Sequence, residues 1–92
     1  MKVHVRYLAQ FRHAAGEATE IVELESPCSV SQCLTQLARR HGESLQVLLL
    51  QEGGTPHPAI LLFLGDQQIT DPALCLLREG DCLTLLSPMA GG

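Results

Sequence analysis

The sequence predicts an α+β fold, a mixed sheet of four to five strands crossed by one main helix in two layers. Three observations carry this expectation. Two alternating apolar segments lie at hairpin distance near the N-terminus, one helix is marked at both ends, and an alternating strand returns near the C-terminus. At 92 residues, the chain is expected to be one domain spanning residues 1–92, with residues 87–92 as an extended tail.

Across residues 2–11 the order Val3, His4, Val5, Arg6, Tyr7, Leu8 alternates as a half-buried strand does. Residues 13–17, with Gly16, read as a turn. In residues 18–25, Val22 and Leu24 share one face while Glu23 and Glu25 share the other, giving a second, antiparallel strand. The main helix follows. Ser29 and Gln32 have capping-box spacing, in which the serine oxygen accepts from the third helical N–H and the glutamine reaches back. Val30, Leu34, Leu37 and Ala38 then fall on one face. Arg39, Arg40 and His41 suit the negative helix end, and Gly42 supplies a left-handed stop.

Residues 45–50 are apolar enough for a short second helix. Residues 51–58 hold Gly53, Gly54, Pro56 and Pro58 and are expected to be loop. The apolar run 59–64 reads as a central strand buried on both faces. Gly65-Asp66 turns into a short segment, 67–70, and Asp71-Pro72-Ala73 starts another turn. The last strand is expected over residues 82–86, and Pro88 ends its pairing. An early hairpin, a crossing helix and a late strand able to lie beside the first describe the β-grasp arrangement of ubiquitin.

Composition narrows the function classes. Three aromatic residues, Tyr7, Phe11 and Phe63, offer little for stacking on bases. A formal charge of -4 argues against a nucleic-acid partner and favours a basic protein surface. No apolar run approaches the roughly 18 residues of a membrane helix, so no membrane is expected as a partner. A cytoplasmic location follows, in which Cys28, Cys33, Cys75 and Cys82 are reduced thiols.

Cys28 and Cys33 have the spacing that opens a plant-type iron-sulfur motif, but the third cysteine would fall at Gln36. The cysteines therefore read as small core or partly buried residues. His4, His13, His41 and His57 lack metal-ligand spacing and read as surface or capping residues, so no metal is expected. Glu20, Glu23 and Glu25 read as the solvated face of an edge strand.

The residues Ala9-Gln10-Phe11-Arg12, Gly16 before Ala18-Thr19-Glu20, Glu79-Gly80-Asp81 and the closing Pro88-Met89-Ala90-Gly91-Gly92 resemble the MoaD/ThiS family of ubiquitin-like sulfur carriers. The likeness covers nearly the whole chain and is closest to the MoaD branch, the small subunits of molybdopterin synthase. It departs at residues 51–58 and the leucine-rich stretch before them.

The resemblance implies a cycle. An E1-like, MoeB-like adenylyltransferase uses ATP to adenylate Gly92, a sulfur donor displaces AMP, and a sulfur-accepting enzyme such as MoaE consumes the thiocarboxylate in molybdenum cofactor synthesis. Gly92 is then the reacting residue and Gly91 the one that permits its entry. The chain itself is a carrier that binds no cofactor and performs no side-chain catalysis. By alignment, the partner surface would include Leu8, Leu86 and a third position at Gln68 or Ile69, with Pro88, Met89 and Ala90 leading into the partner. Arg12 would pair with acidic residues there or remain solvated. Carriers for thiamine, cysteine, tRNA thiolation or a secondary metabolite are alternatives, as is a ubiquitin-like modifier that forms isopeptide bonds.

Overall fold

A computed structural model of the chain describes residues 1–87. Its elements run β1 (Lys2–Tyr7), α1 (Gln10–Ala15), β2 (Thr19–Glu23), α2 (Val30–His41), α3 (Glu43–Leu49), β3 (Leu61–Leu64), β4 (Gln67–Ile69) and β5 (Cys82–Leu86). The five strands form one sheet in the order β2-β1-β5-β3-β4. β5 lies parallel to β1 and antiparallel to β3, while β1 pairs β2 and β3 pairs β4 antiparallel. This is the predicted β-grasp topology, with the last strand at the centre.

Strand alternation selects the two faces. Val3, Val5 and Tyr7 of β1 and Leu83 and Leu85 of β5 are fully buried on the inner face, where Val30, Cys33, Leu34 and Leu37 of α2 meet them in one core. Lys2, His4 and Arg6 point outward and are exposed. Among the described residues, no helix is long and apolar enough to cross a membrane.

The main helix is bounded as its sequence predicts. Ser29 Oγ accepts from Gln32 N at 3.1 Å, and Gln32 Oε1 accepts from Ser29 N at 2.8 Å. Gly42 ends the helix at φ 84°, ψ -162°. That is the extended mirror region open essentially to glycine, rather than the left-handed helical well expected. The same residue begins α3, since its carbonyl accepts from Gln46 N.

Three further expectations need correcting. The first strand stops at Tyr7 instead of reaching residue 11, and the turn expected at 13–17 is largely the helix α1. Ala9, at φ 53°, breaks the strand, and α1 drives Phe11 into the core and closes on Gly16 in the left-handed conformation. The apolar run at 59–64 yields a strand of only four residues, and it is not buried on both faces. Leu62 is buried inside, whereas Leu61 and Phe63 are half-exposed on the outer face.

The third correction concerns Glu20 and His41. Glu20 is not on a solvated strand face, and His41 is not a surface residue: their side chains are 5% and 12% exposed. Glu20 pairs with inward-facing Val5 across β1 and β2, so its carboxylate enters the core margin. There it accepts from the Tyr7 hydroxyl and lies 2.5 Å from His41 Nε2, with Arg40 Nε 3.4 Å from its other oxygen. A buried carboxylate tolerates such a place only with its lone pairs met. The network ties the edge strand to the end of α2.

Candidate functional site

Strand β5 delivers the chain to the tail. It is paired on both sides, and Leu83 and Leu85 lock it into the core, so residue 87 leaves from the best-held strand of the sheet. The residues expected to carry the chemistry, Gly91 and Gly92, and those expected to lead into the partner, Pro88, Met89 and Ala90, lie outside the described residues. What the structure describes is their root.

Around that root the outer sheet face is apolar. Leu86 pairs with Leu61, and the Leu8 N–H bonds the Leu85 carbonyl at 3.1 Å, extending the parallel ladder so that Leu8 stands beside Leu86. All three are half-buried. The next row across the sheet is Arg6, Thr84, Phe63 and Gln68. The expected pair Leu8 and Leu86 is therefore brought together.

Of the two residues expected as the third position, one shares the outer face. Ile69 pairs with buried Leu62 and packs on the core, whereas Gln68 pairs with Phe63 on the outer face. Leu61 and Phe63 supply the apolar surface that sequence reasoning missed. The signal was the parity of the 59–64 run, obscured because every member is apolar.

Charge near the root differs from the charge of the whole chain. Arg6 is exposed in the neighbouring row, and Arg12 is exposed on α1 with no ion pair among the described residues. The leucine patch is thus bordered by the Arg6 cation although the chain totals -4, while Arg12 lines the surface beside Glu17 and Ala18. A surface docking here would gain from acidic groups, in contrast to the basic partner that composition favours.

The Glu20 network also bears on metal binding. Ligand atoms of Glu17, Glu20 and His41 lie within 4.8 Å of one another. Glu20, however, already serves Tyr7, His41 and Arg40, and the guanidinium would oppose an added cation. We read the cluster as structural.

Tyr7 shows the effect of this setting. Burial first, and then its hydrogen bond to Glu20, hold its phenol far above the ordinary value of 10.0. Tyr7 is the single tyrosine of a chain without tryptophan, so tyrosinate absorbance reports it alone. At about pH 11 an ordinary tyrosine is roughly nine-tenths ionised, whereas the folded protein is expected to show no tyrosinate band until it unfolds. The sign follows from a folded pKa above the unfolded one: the stabilisation is complete below pH 10 and is lost as pH rises beyond it. Burial also pushes the Cys33 thiol from 9.0 up to about 12, which adds a loss of the same sign from pH 9 upward. The urea midpoint should therefore fall steadily on the alkaline side.

All four cysteines are free thiols, Cys28 and Cys33 buried and Cys75 and Cys82 half-buried, as expected of small core or partly buried residues. Desolvation raises both buried thiols. A disulfide-exchange reagent is expected to modify Cys75 and Cys82 in the folded protein and to reach Cys28 and Cys33 only on unfolding. Peptide mapping of the labelled thiols checks the order.

The comparisons with known proteins agree with this architecture. The model of the ThiS family matches residues 5–92, while no curated protein sequence matches the chain. Among solved structures, SAMP1 from Haloferax volcanii is similar at a TM-score of 0.86 with 21% identity, each chain covered in full. A protein of Pyrococcus furiosus, assigned provisionally as molybdopterin converting factor subunit 1, gives 0.77 with 23% identity, covering 97% of this chain and 99% of that one. A chain of the BexX/CysO complex of Amycolatopsis orientalis gives 0.72 with 24% identity over 98% and 99%. At these identities the likenesses establish the fold.

Proposed function

The chain belongs to the ThiS family, and on that premise we propose that it is a sulfur carrier whose Gly92 carboxylate is activated and then sulfurated by partner enzymes. The observation that carries the reading is that the family match runs through Gly91 and Gly92, directly beyond a strand held at the centre of the sheet.

Chemistry explains why such a carrier needs its end and no catalytic side chain. A carboxylate resists attack until one oxygen becomes a leaving group. An E1-like adenylating enzyme joins it to AMP and releases pyrophosphate from ATP. A sulfur donor then forms the C–S bond as the C–O bond to AMP breaks. The product thiocarboxylate is ionised at neutral pH and presents a nucleophilic sulfur to the accepting enzyme. Residues 87–92, fully extended, reach at most about 20 Å, enough to enter a neighbouring active site. Gly91 and Gly92 add no side chain to the part that must pass.

The outer face supports a docking role. Leu8, Leu61 and Leu86 offer apolar contact at the tail root, while Arg6 and Arg12 would set orientation and on-rate. We assign the consumer to molybdenum cofactor synthesis, through a MoaE-like enzyme, on the MoaD-like residues given above. A cytoplasmic setting fits four unpaired thiols. The second reading, a protein modifier, is favoured by one observation: several of the similar solved structures are of small archaeal modifier proteins.

Intact mass after incubation with ATP, sulfide and the E1-like enzyme of the source organism tests the proposal. The expected product gains the difference between one sulfur and one oxygen. Neither that gain nor an AMP adduct would count against activation, and conjugates on substrate lysines would shift the reading to a modifier.

A further inference from the structure

On the side of residue 87 away from the outer sheet face lies a groove between α1, α3 and residues 57–60. Phe11, Val47, Leu48 and Ile60 line it together with the polar Gln10, His57 and Ser87, and its volume is about 180 Å³. That is below the roughly 300 Å³ at which small-molecule sites begin, yet it has room for an apolar side chain. None of its lining residues is Asp, Glu, Lys or Arg. Val47 stands on its wall at 61% exposure.

A single exposed valine is ordinary, so Val47 alone decides nothing. Reach decides it. Ser87 belongs to the groove wall, and from it five residues lead to Gly92, at most about 17 Å when extended. Adenylation requires the carboxylate inside a site that excludes water. A channel that encloses residues 89–92 uses nearly all of that length, so its mouth must abut the surface around residue 87. Both sides of the root are then covered, the leucine patch on one and this groove on the other.

We infer that the adenylating enzyme grips the carrier on two sides of the tail, and that an apolar side chain at the mouth of its channel fills the groove against Val47. This rests on the carrier reading above. The chemistry of the two sides differs: the outer face, bordered by Arg6, suits acidic groups, whereas the groove, in which His57 is the one titratable side chain among the described residues, suits an uncharged apolar protrusion.

Pyrophosphate exchange with the E1-like enzyme of the source organism, measured against carrier concentration, tests this. Val47→Asp is expected to raise KM about tenfold or more with kcat within about twofold, and Val47→Ala to raise KM less. Leu74 is also exposed but lies beside Leu76, which bridges Ser29 at the opposite end of α2. Leu74→Asp should leave KM unchanged. Unchanged circular dichroism and melting would show that Val47→Asp keeps its fold. A KM for folded Val47→Asp within about twofold of the original, or an equal rise from Leu74→Asp, overturns the two-sided grip. No exchange with the unaltered chain overturns the carrier reading itself.

Discussion

Deleting Gly92 is expected to abolish adenylation while leaving the unfolding midpoint of the domain unchanged. The shortened chain still ends in a glycine carboxylate, that of Gly91, so its intrinsic chemistry is the same. Only position differs. One residue fewer withdraws the carboxylate by about 3.5 Å, and a misplacement of even 1 Å can cost about a hundredfold in rate. Activation should fall below detection. Stability should not follow, because the described residues already form one core in which Leu83 and Leu85 of β5 are buried. Pyrophosphate exchange and a thermal scan on the same sample check both halves. Substantial activity in the shortened protein would remove Gly92 from its role.

The second large effect is on stability. Replacing Glu20 by Ala is expected to cost about 3 kcal/mol, within the range for removing one partner from a buried polar pair. Tyr7, His41 and Arg40 lose their shared partner together, and the Tyr7 hydroxyl, in a residue with no exposure, has little access to replacement water. At roughly 4–8 °C per kcal/mol for a domain of this size, melting should fall by more than 10 °C. Glu20→Gln keeps oxygen and shape and should cost appreciably less. A double-mutant cycle with His41→Ala should show coupling, since His41 and Glu20 are in direct contact. A loss below about 1 kcal/mol for Glu20→Ala would place the network among weak surface pairs.

What could be read in advance followed from how local each signal was. The capping box at Ser29 and Gln32 is a four-residue pattern, and the structure forms both of its bonds. The last strand, residues 82–86, kept its bounds because turn residues stand on both sides of a short alternating run. Helix α1 escaped because six residues with one buried anchor, Phe11, are too few to display a helical period.

Glu20 shows a conflict between two local signals. Its parity with Val22 and Leu24 put it on the inner face, while its residue type argued for solvent. Parity won, because Tyr7 and His41, 13 and 21 residues away in sequence, supply the partners. No local window contains them. The outer patch was half visible for a related reason. Leu8 and Leu86 came from resemblance, but separating Leu61 and Phe63 from Leu62 needed the register of β3 on β5. The motif Gly91-Gly92 was legible as sequence, and the role proposed for it rests on the family match that runs through it.

Whether Gly92 is the sulfur-bearing end of a carrier can be read most directly from one measurement. Trypsin cuts last after Arg78, so mass spectrometry of protein isolated from its own cells can read the peptide of residues 79–92. A sulfur carrier should yield a fraction of that peptide with sulfur in place of one oxygen, located by fragmentation at Gly92. A peptide found only with an ordinary carboxylate, or continuing past Gly92, would contradict that role.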